Sequence, residues 1–329
     1  MPLIIIGVTI IRYKNTMKNE KIFITGGAGY LGRELVKRYY DDNEITIFSR
    51  DEAKHYYLKK QFPKVHCIIG DVRNYELLNS AMRGHTIGIF AASLKQIEAV
   101  DQNVDESIQV IIMGAINSRK AAINNKLKAA TFISSDKSRG ATTLYGAMKF
   151  VAGEAFIVNA EREETLLSSV IYGNVLNSTG SIIPLIWDSI EKGYELTLYS
   201  EKMTRFMIDV EKAVDCIELA LTHKGTSIVP NLKAFKVKDL FEIYSEDFGM
   251  KWKKGVPRIS EKDHEQMISP YESARVKHHK ETDTYLIHYK DIYDEVDFQT
   301  TGGLSSENCL VTKEELRTLL KKNNYFKPV

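Results

Sequence analysis

The sequence predicts an α/β protein, a doubly wound parallel sheet of Rossmann type with a smaller C-terminal lobe. Three observations carry this. Short apolar runs of strand length alternate with helix-period stretches through the first 175 residues, as in a parallel sheet with crossover helices. A run of glycines falls between the first strand and the first helix. Small or polar residues follow the strands at Gly26, Asp71, Ser93, Ser135 and Asn174, at the carboxyl ends where such sheets bind ligands.

The first strand is expected over residues 21–25, followed by Gly26-Gly27-Ala28-Gly29-Tyr30-Leu31-Gly32 and a helix over 33–40. Gly26 permits a tight turn, Gly29 lets backbone approach a pyrophosphate, and Gly32 lets the helix pack on the strand. The helix N-terminus, with Tyr30 and Leu31, then faces the phosphates. This is a dinucleotide fingerprint in its proper strand-to-helix context. The second strand, residues 44–48, ends in Ser49, Arg50 and Asp51. An acid directly at this end favours the free ribose hydroxyl of NAD, whereas an arginine pairs with a 2′-phosphate. Ser49 and Arg50 come first, so the cofactor is read as NADP; Asp51 and Glu52 leave NAD open.

The third strand, 65–70, runs into Asp71 and Val72, suited to an adenine edge; Asp71 serves equally well as a helix N-cap. The fourth, 86–92, ends in Ala91, Ala92, Ser93 and Lys95, where small residues let backbone lie against ribose and nicotinamide. A helix is expected over 105–125.

A buried strand ending at residues 130–133 leads into Ser134-Ser135-Asp136-Lys137, and Tyr145 and Lys149 follow. Positions i and i+4 share one helix face. A phenol titrates near ~10, and a neighbouring ammonium lowers that value. Ser135 can hydrogen-bond the same substrate oxygen. Such a trio takes a proton from a sugar hydroxyl while hydride leaves the carbon. Tyr-x-x-x-Lys alone recurs by chance; its weight comes from the glycine fingerprint upstream.

Further strands are expected at 165–171, 204–208 and 227–229, with helices at 181–193, 210–222 and 237–248. Residues 251–300 read as charged and broken. Their histidines (His264, His278, His279, His288) lack metal-ligand spacing and are taken as surface or core-edge residues. An amphipathic helix closes the chain at 312–323, with Thr312 as cap and Glu315 completing a capping box. The organisation is an N-terminal extension (1–17), a dinucleotide-binding domain (18–175, also receiving parts of 203–230), and a substrate lobe with the C-terminal helix (176–329).

Composition narrows the function. The 45 basic and 43 acidic residues leave a formal charge of +2, which gives no electrostatic case for nucleic acid as the main partner. Cys67, Cys216 and Cys309 are far apart; they point to a reducing, cytoplasmic setting and to neither a disulfide framework nor a zinc site. The apolar start, residues 1–11, is too short to span a bilayer and lacks signal-peptide features. Met17 is a candidate natural start. No other stretch approaches about 18 consecutive apolar residues, so no transmembrane span is expected.

With these residues placed, the chain resembles the extended short-chain dehydrogenase/reductase superfamily over roughly residues 20–270. More narrowly, it is similar to the capsule- and flagellin-type sugar-nucleotide 4,6-dehydratases that act on UDP-N-acetylglucosamine. The narrow signals are Ser135-Asp136-Lys137, Tyr172-Gly173-Asn174-Val175, Met203-Thr204-Arg205-Phe206, and Arg258 followed by Glu261-Lys262-x-His264-Glu265. The resemblance implies Tyr145 as base for hydride removal at carbon 4, with Ser135 and Lys149 beside it. It implies Lys137, near-neutral if desolvated beside other cations, as the carbon-5 base. Asp136, protonated, would be the acid for the 6-hydroxyl. Lys95, Asn174, Ser181, Arg205, Arg258 and Glu261 would hold the nucleotide sugar, and a homo-oligomer is implied. The chain departs from the pattern at Val110 and Ile111, where relatives carry Thr-Asn, and at Ile171, where they carry Arg. A 4-epimerase or a 4-ketoreductase of the same superfamily is the alternative. A non-catalytic NADP-binding regulator is a third reading.

Overall fold

The structure, a computed structural model, describes residues 17–257, 260–290 and 303–327. Strands β1 (Lys21–Thr25), β2 (Glu44–Ser49), β3 (His66–Ile69), β4 (Ile87–Phe90), β5 (Ala129–Ile133) and β6 (Leu166–Val170) pair in parallel. In space they run β6-β5-β4-β1-β2-β3. The order reverses between β1 and β4, which opens the crevice where a doubly wound sheet binds its ligand. Beyond β6 the sheet gains Thr226–Pro230 in parallel, then Thr284–His288 and Val276–His279 in antiparallel sense, making nine strands among the described residues.

The central strands are apolar on both faces because helices cover both. All five residues of β5 are buried. On one face, Leu35, Val36 and Tyr39 of helix Tyr30–Tyr39 share a core with β1 and β2, and Ala213, Val214 and Ile217 of helix Val210–Ala220, which packs on β6 and Thr226–Pro230, join it. On the other, the Phe156 ring lies within 6 Å of both Phe90 and Phe132, at 5.7 and 5.8 Å. Ala121, Ala122 and Ala152 allow helices Gly114–Asn124 and Leu144–Ile157 to seat closely there. A third core, from Ile183 and Ile186 to Phe241, Tyr244, Leu316 and Leu320, lies under the short strands that follow residue 195.

The expected α/β fold is present, and several local expectations change. The helix expected over 105–125 is broken: Val104–Ser107 and Gly114–Asn124 are α-helical, and Ile108–Met113 between them is a wider π-helical turn. Such turns recur at functional sites, and Val110 within this one lines the main cleft. Helix Glu52–Gln61 was not anticipated, since His55 and Leu58 are its only buried residues. The stretch read as broken contains the hairpin Val276–His279/Thr284–His288. Its weak signal reflects burial of few positions, chiefly Val276, Leu286 and Ile287. Strands 204–208 and helix 237–248 fall where expected, and the C-terminal helix Lys313–Lys322 has its Thr312–Glu315 capping box. Residues 1–16, within the expected extension, lie outside the described residues.

Candidate active site

The glycine turn shapes the floor of the cleft. Gly26 has φ +69°, and a Cβ there would stand 3.0 Å from the Ala92 backbone. At Gly32 a Cβ would fall 2.3 Å from the Gly27 carbonyl oxygen. Helix Tyr30–Tyr39 starts at Gly29 with no side-chain cap, so its first N–H groups are open to an anion. Ala91, Ala92 and Ser93 approach from the end of β4, and the Ala92 N–H donates to Thr25 Oγ1 at 3.2 Å. These residues, with Tyr30, Leu31, Ser49, Arg50, Asp71 and Val72, line a cleft of about 810 Å³. A cradle that side chains would fill, at an uncapped helix start, fits a dinucleotide.

At its ribose end Asp51 is engaged elsewhere. Its Oδ1 accepts from the Lys54 N–H, capping helix Glu52–Gln61, and its Oδ2 pairs with Lys54 Nζ at 2.7 Å. Ser49 Oγ lies 2.6 Å from His55 Nε2. Arg50, mostly exposed, reaches Asp71 at 3.6 Å. Asp71 is held by Arg73, at 2.6 Å from Nη2 and 3.0 Å from the backbone N–H. The expectation that Asp71 serves as an N-cap is corrected: Asn74 caps helix Tyr75–Ala81 by accepting from the Leu77 N–H.

The same cleft continues to Ser135, Asp136, Lys137, Tyr145, Lys149, Asn174 and Ser181. β5 delivers Ser135 to a short 3-10 turn, Asp136–Ser138, and the next helix carries Tyr145 and Lys149 in its first turns. Thr143 caps that helix, accepting from the Gly146 N–H at 3.1 Å. Gly146 lets the helix lie against the turn, because a Cβ there would stand 2.3 Å from the Lys137 carbonyl oxygen.

Burial sets the charge states. Asp136 is 1 % exposed; its Oδ1 accepts from Ser135 Oγ at 3.0 Å and Lys137 Nζ at 3.3 Å, and its Oδ2 is buried without a hydrogen bond. Burial pushes the Asp136 carboxyl up, against the pull of Lys137. Burial alone would lower Lys137, but Asp136 and Glu265 outweigh it and hold the ammonium charged. The near-neutral Lys137 expected from the resemblance is therefore not the resting state. The Tyr145 phenol is likewise raised, chiefly by burial, with Lys137 and the neighbouring Ser135 hydroxyl opposing. Lys149 is not the group that lowers it: its Nζ donates to the Ile133 carbonyl at 2.9 Å, and burial takes it down to about 7. The expected Tyr–Lys coupling is replaced, in this state, by the Ser135–Lys137 side of the phenol.

A second cavity, about 510 Å³, opens beside the first and shares Lys95, Lys137, Asn174 and Ser181 with it. Arg205 and Glu261 also line it. Arg205 is buried and already bonded: Nη1 donates to the Thr204 and Asp263 carbonyls, at 2.8 and 3.1 Å, and Nη2 to Glu261 at 3.2 Å. The open guanidinium fork expected for phosphate is thus closed by its own chain. Lys95 Nζ donates to the Thr179 carbonyl. Arg258 lies outside the described residues. Ile171 and Ile111, two departures from the dehydratase pattern, are buried in the two cores on either side of the sheet.

Sequence reading assigned no site role to three charged residues, two of which, Lys262 and Glu265, it noted only as part of a motif. Glu265, 3 % exposed, lies 3.3 Å from Lys137 Nζ. Lys262 reaches Glu265 at 3.3 Å and donates to the Arg139 carbonyl at 2.8 Å. Arg139, two residues past Lys137, is buried between Glu154 and Glu272, at 2.9 Å from each. The available signal was acid–base spacing in the Glu261–Glu265 run; nothing local to Arg139 reveals partners more than 100 residues away. Among the described residues no group of three His, Cys, Asp or Glu is arranged for a metal.

A dinucleotide cradle opening into a Ser-Asp-Lys turn and a Tyr-x-x-x-Lys helix defines a class, the nucleotide-dependent sugar enzymes built on the extended Rossmann fold. Residues 22–287 match the family described as polysaccharide biosynthesis protein, and the chain belongs to that family, which here comprises sugar-nucleotide dehydratases and epimerases. It is 34% identical over 272 residues to a UDP-glucose 4-epimerase of Rickettsia massiliae, covering 78% of this chain and 80% of that one. It is 35% identical over 269 residues, with the same coverage, to a UDP-N-acetylglucosamine 4,6-dehydratase (inverting) of Campylobacter jejuni. Among solved structures, Pen from Bacillus thuringiensis superposes with a TM-score of 0.85 at 27% identity, over 94% of this chain and 99% of the other. DesIV, a dTDP-glucose 4,6-dehydratase of Streptomyces venezuelae solved with NAD, shares the fold at 17% identity and a TM-score of 0.64, over 73% and 86%.

Proposed function

We propose that the protein is a sugar-nucleotide 4,6-dehydratase acting on UDP-N-acetylglucosamine, with or without inversion at carbon 5, and that NADP is its cofactor. The observation that carries this is the pair of buried Asp136 and partly buried Lys137 next to Tyr145. Epimerisation at carbon 4 needs an acid–base group at one oxygen. Loss of water across carbons 5 and 6 needs a separate acid and base, held apart in proton affinity.

A bound nicotinamide dinucleotide supplies the acceptor for hydride from carbon 4 and its donor to carbon 6. Gly26, Gly29, Tyr30, Leu31, Gly32, Ala91, Ala92 and Ser93 would hold it, with Ser49 and Arg50 on a 2′-phosphate. Engagement of Asp51 as a helix cap favours the phosphate-bearing form. Tyr145 takes the 4-hydroxyl proton, with the Ser135 hydroxyl beside its phenol. Passage of one proton from Lys137 Nζ to Asp136 Oδ1, 3.3 Å apart, turns the resting ion pair into a neutral pair. Lys137 then removes the proton on carbon 5, and Asp136 gives its proton to the departing 6-hydroxyl.

The diphosphate is assigned to Lys95, Asn174 and Ser181. Ser181 starts helix Ile182–Lys192 without capping it, and its Oγ, which can donate to a phosphate oxygen, is buried without a partner. Arg205 and Glu261 form the wall of the sugar cavity as a bonded pair. The cytoplasm is the assigned compartment, on the strength of three free cysteines. A homo-oligomer is part of the proposal, tested by mass in solution. Residues 18–175 are proposed as the cofactor domain and 176–329 as mainly substrate lobe.

Purified protein incubated with UDP-N-acetylglucosamine and no reductant should yield a product lighter by one water. That product should be missing with Lys137→Ala. Unchanged substrate would reject this reading. Interconversion of the 4-hydroxyl epimers without water loss would establish the second reading, a 4-epimerase, which the names of the Rickettsia relatives favour.

A further inference from the structure

We propose that Glu265 is a positioning residue for Lys137: its buried carboxylate ties the Lys137 ammonium to the wall of the sugar cavity and supports the charge Lys137 gains when it takes a proton. The geometry is specific. Glu265 Oε1 lies 3.3 Å from Lys137 Nζ and 3.7 Å from Arg205 Nε, and Oε2 lies 3.3 Å from Lys262 Nζ. One carboxylate therefore meets three cations that arrive from three segments: the Asp136–Ser138 turn, strand Thr204–Ile208, and residues 260–265.

Its place is fixed from behind. The Glu265 N–H donates to Ser306 Oγ at 2.9 Å, and the Ser306 N–H returns a bond to the Glu265 carbonyl at 2.9 Å. His264 alongside shares a hydrogen bond with Thr204 Oγ1 at 2.9 Å. Glu265 Oε2, buried in the cavity wall, has no hydrogen bond of good geometry. The carboxylate is thus held by charge where it faces the cavity, and by backbone where it does not.

The charged and titratable groups around Lys137 are Asp136 on its own turn, Tyr145 and Lys149 on the next helix, Arg205 on its strand, and Glu261, Lys262 and Glu265 on the segment opposite. Of the carboxylates, Asp136 and Glu265 reach Lys137 Nζ within 4 Å. Asp136 is the acid of the proposed reaction and cannot remain an anion throughout it. Glu265 is the carboxylate left to stabilise the ammonium as the carbon-5 proton transfers, and an anion placed there makes Lys137 a stronger base. Lys137 itself, then Arg205 and Lys262, keep Glu265 ionised, holding its carboxyl down to about 2 despite burial.

The consequence for turnover rests on the dehydratase reading; the placement of Lys137 does not. The first experiment therefore reads Lys137 directly. The full-length protein is labelled with acetic anhydride in competition across about pH 7 to 11, and the rate at Lys137 is followed by peptide mass spectrometry beside exposed Lys253. In the wild type the Lys137 midpoint should lie above that of Lys253. A midpoint at or below it overturns the proposal. In Glu265→Gln the Lys137 midpoint should fall by about one unit or more. An unchanged midpoint in a folded variant means a purely structural pin and overturns the proposal.

Glu265→Asp keeps the charge one methylene further back. It should restore most of the midpoint, and it serves in place of Glu265→Gln if that variant does not fold; it must then sit below wild type. Turnover of UDP-N-acetylglucosamine should drop about 10- to 100-fold in kcat for Glu265→Gln, with KM little changed, since one charge-assisted contact is lost at the transferring proton. A shifted midpoint in a protein whose wild type releases no water would leave the placement of Glu265 standing and reject the dehydratase reading alone.

Discussion

Lys137 and Lys149 share one cleft, and their surroundings drive them in opposite directions. Lys137 faces Asp136 and Glu265 and stays charged; Lys149 meets only the Ile133 carbonyl and the Phe132 ring, 4.9 Å away, and burial lowers it to about 7. Two predictions follow from that contrast. Replacing Lys137 by Met should reduce dehydration by about 10²- to 10⁴-fold, the range for loss of a general base, while leaving dinucleotide affinity close to wild type by fluorescence titration. For Lys149 the sign is set by proton linkage. Its folded value, about 7, lies below its unfolded value, so between these limits the unfolded chain holds more protons and stability rises with pH. Below about 7 both states are charged and the contribution flattens. The difference in Tm between wild type and Lys149→Met, without cofactor, should therefore move in favour of wild type as pH rises from neutrality toward 10. A difference that is flat over that range would mean that Lys149 is charged in the folded protein.

At the scale of elements, the site is built from two strand-to-helix turns. In the first, the helix after β1 packs so closely that a Cβ at Gly32 would overlap the Gly27 backbone at 2.3 to 2.4 Å. Backbone cannot yield as a flexible side chain can. Gly32→Ala should cost about 1–3 kcal/mol or more in urea unfolding and abolish dinucleotide binding at concentrations that saturate wild type. In the second turn, Thr143 caps the helix that carries Tyr145 and Lys149. Thr143→Ala should lower stability by about 1 kcal/mol. Thr143→Ser should restore it, because the hydroxyl is what the cap uses. The glycine turn and the Thr312–Glu315 capping box were legible in sequence, because both arise from backbone demands within a few residues, whereas the Thr143 cap was not read there. The π-helical turn Ile108–Met113 was not; its β-branched residues read equally well as ordinary helix.

Across the whole molecule, the Asp136–Ser138 turn is anchored to distant parts of the chain. Arg139 is 2 % exposed and sits between Glu154 and Glu272, and Arg275 meets both carboxylates as well. Replacing Arg139 by Met leaves buried Glu272 and partly buried Glu154 to share Arg275, a loss bounded by the about 3–5 kcal/mol for breaking a buried pair outright. Chemical denaturation should show that loss, together with reduced turnover, since the turn carrying Lys137 begins three residues earlier. A variant as stable as wild type would indicate that Arg275 alone satisfies both acids. Helix Tyr30–Tyr39 is tied similarly to helix Val210–Ala220, through Arg38 to Asp215 at 2.8 Å and to Glu218 at 3.4 Å.

The sequence by itself determined the parallel core, the dinucleotide turn and the Ser135–Lys149 stretch, because each is written in residues close together: apolar runs, glycines where backbone must approach, and i, i+4 spacing. It also pointed to the polysaccharide biosynthesis family. Only the tertiary structure decided the charge state of Lys137, the closure of Arg205 by Glu261 and the arrival of Glu265. These depend on which charges burial brings together from segments as far apart as residues 137 and 265. Proton affinity in a buried cleft is set by neighbours in space, and local sequence patterns carry no record of them.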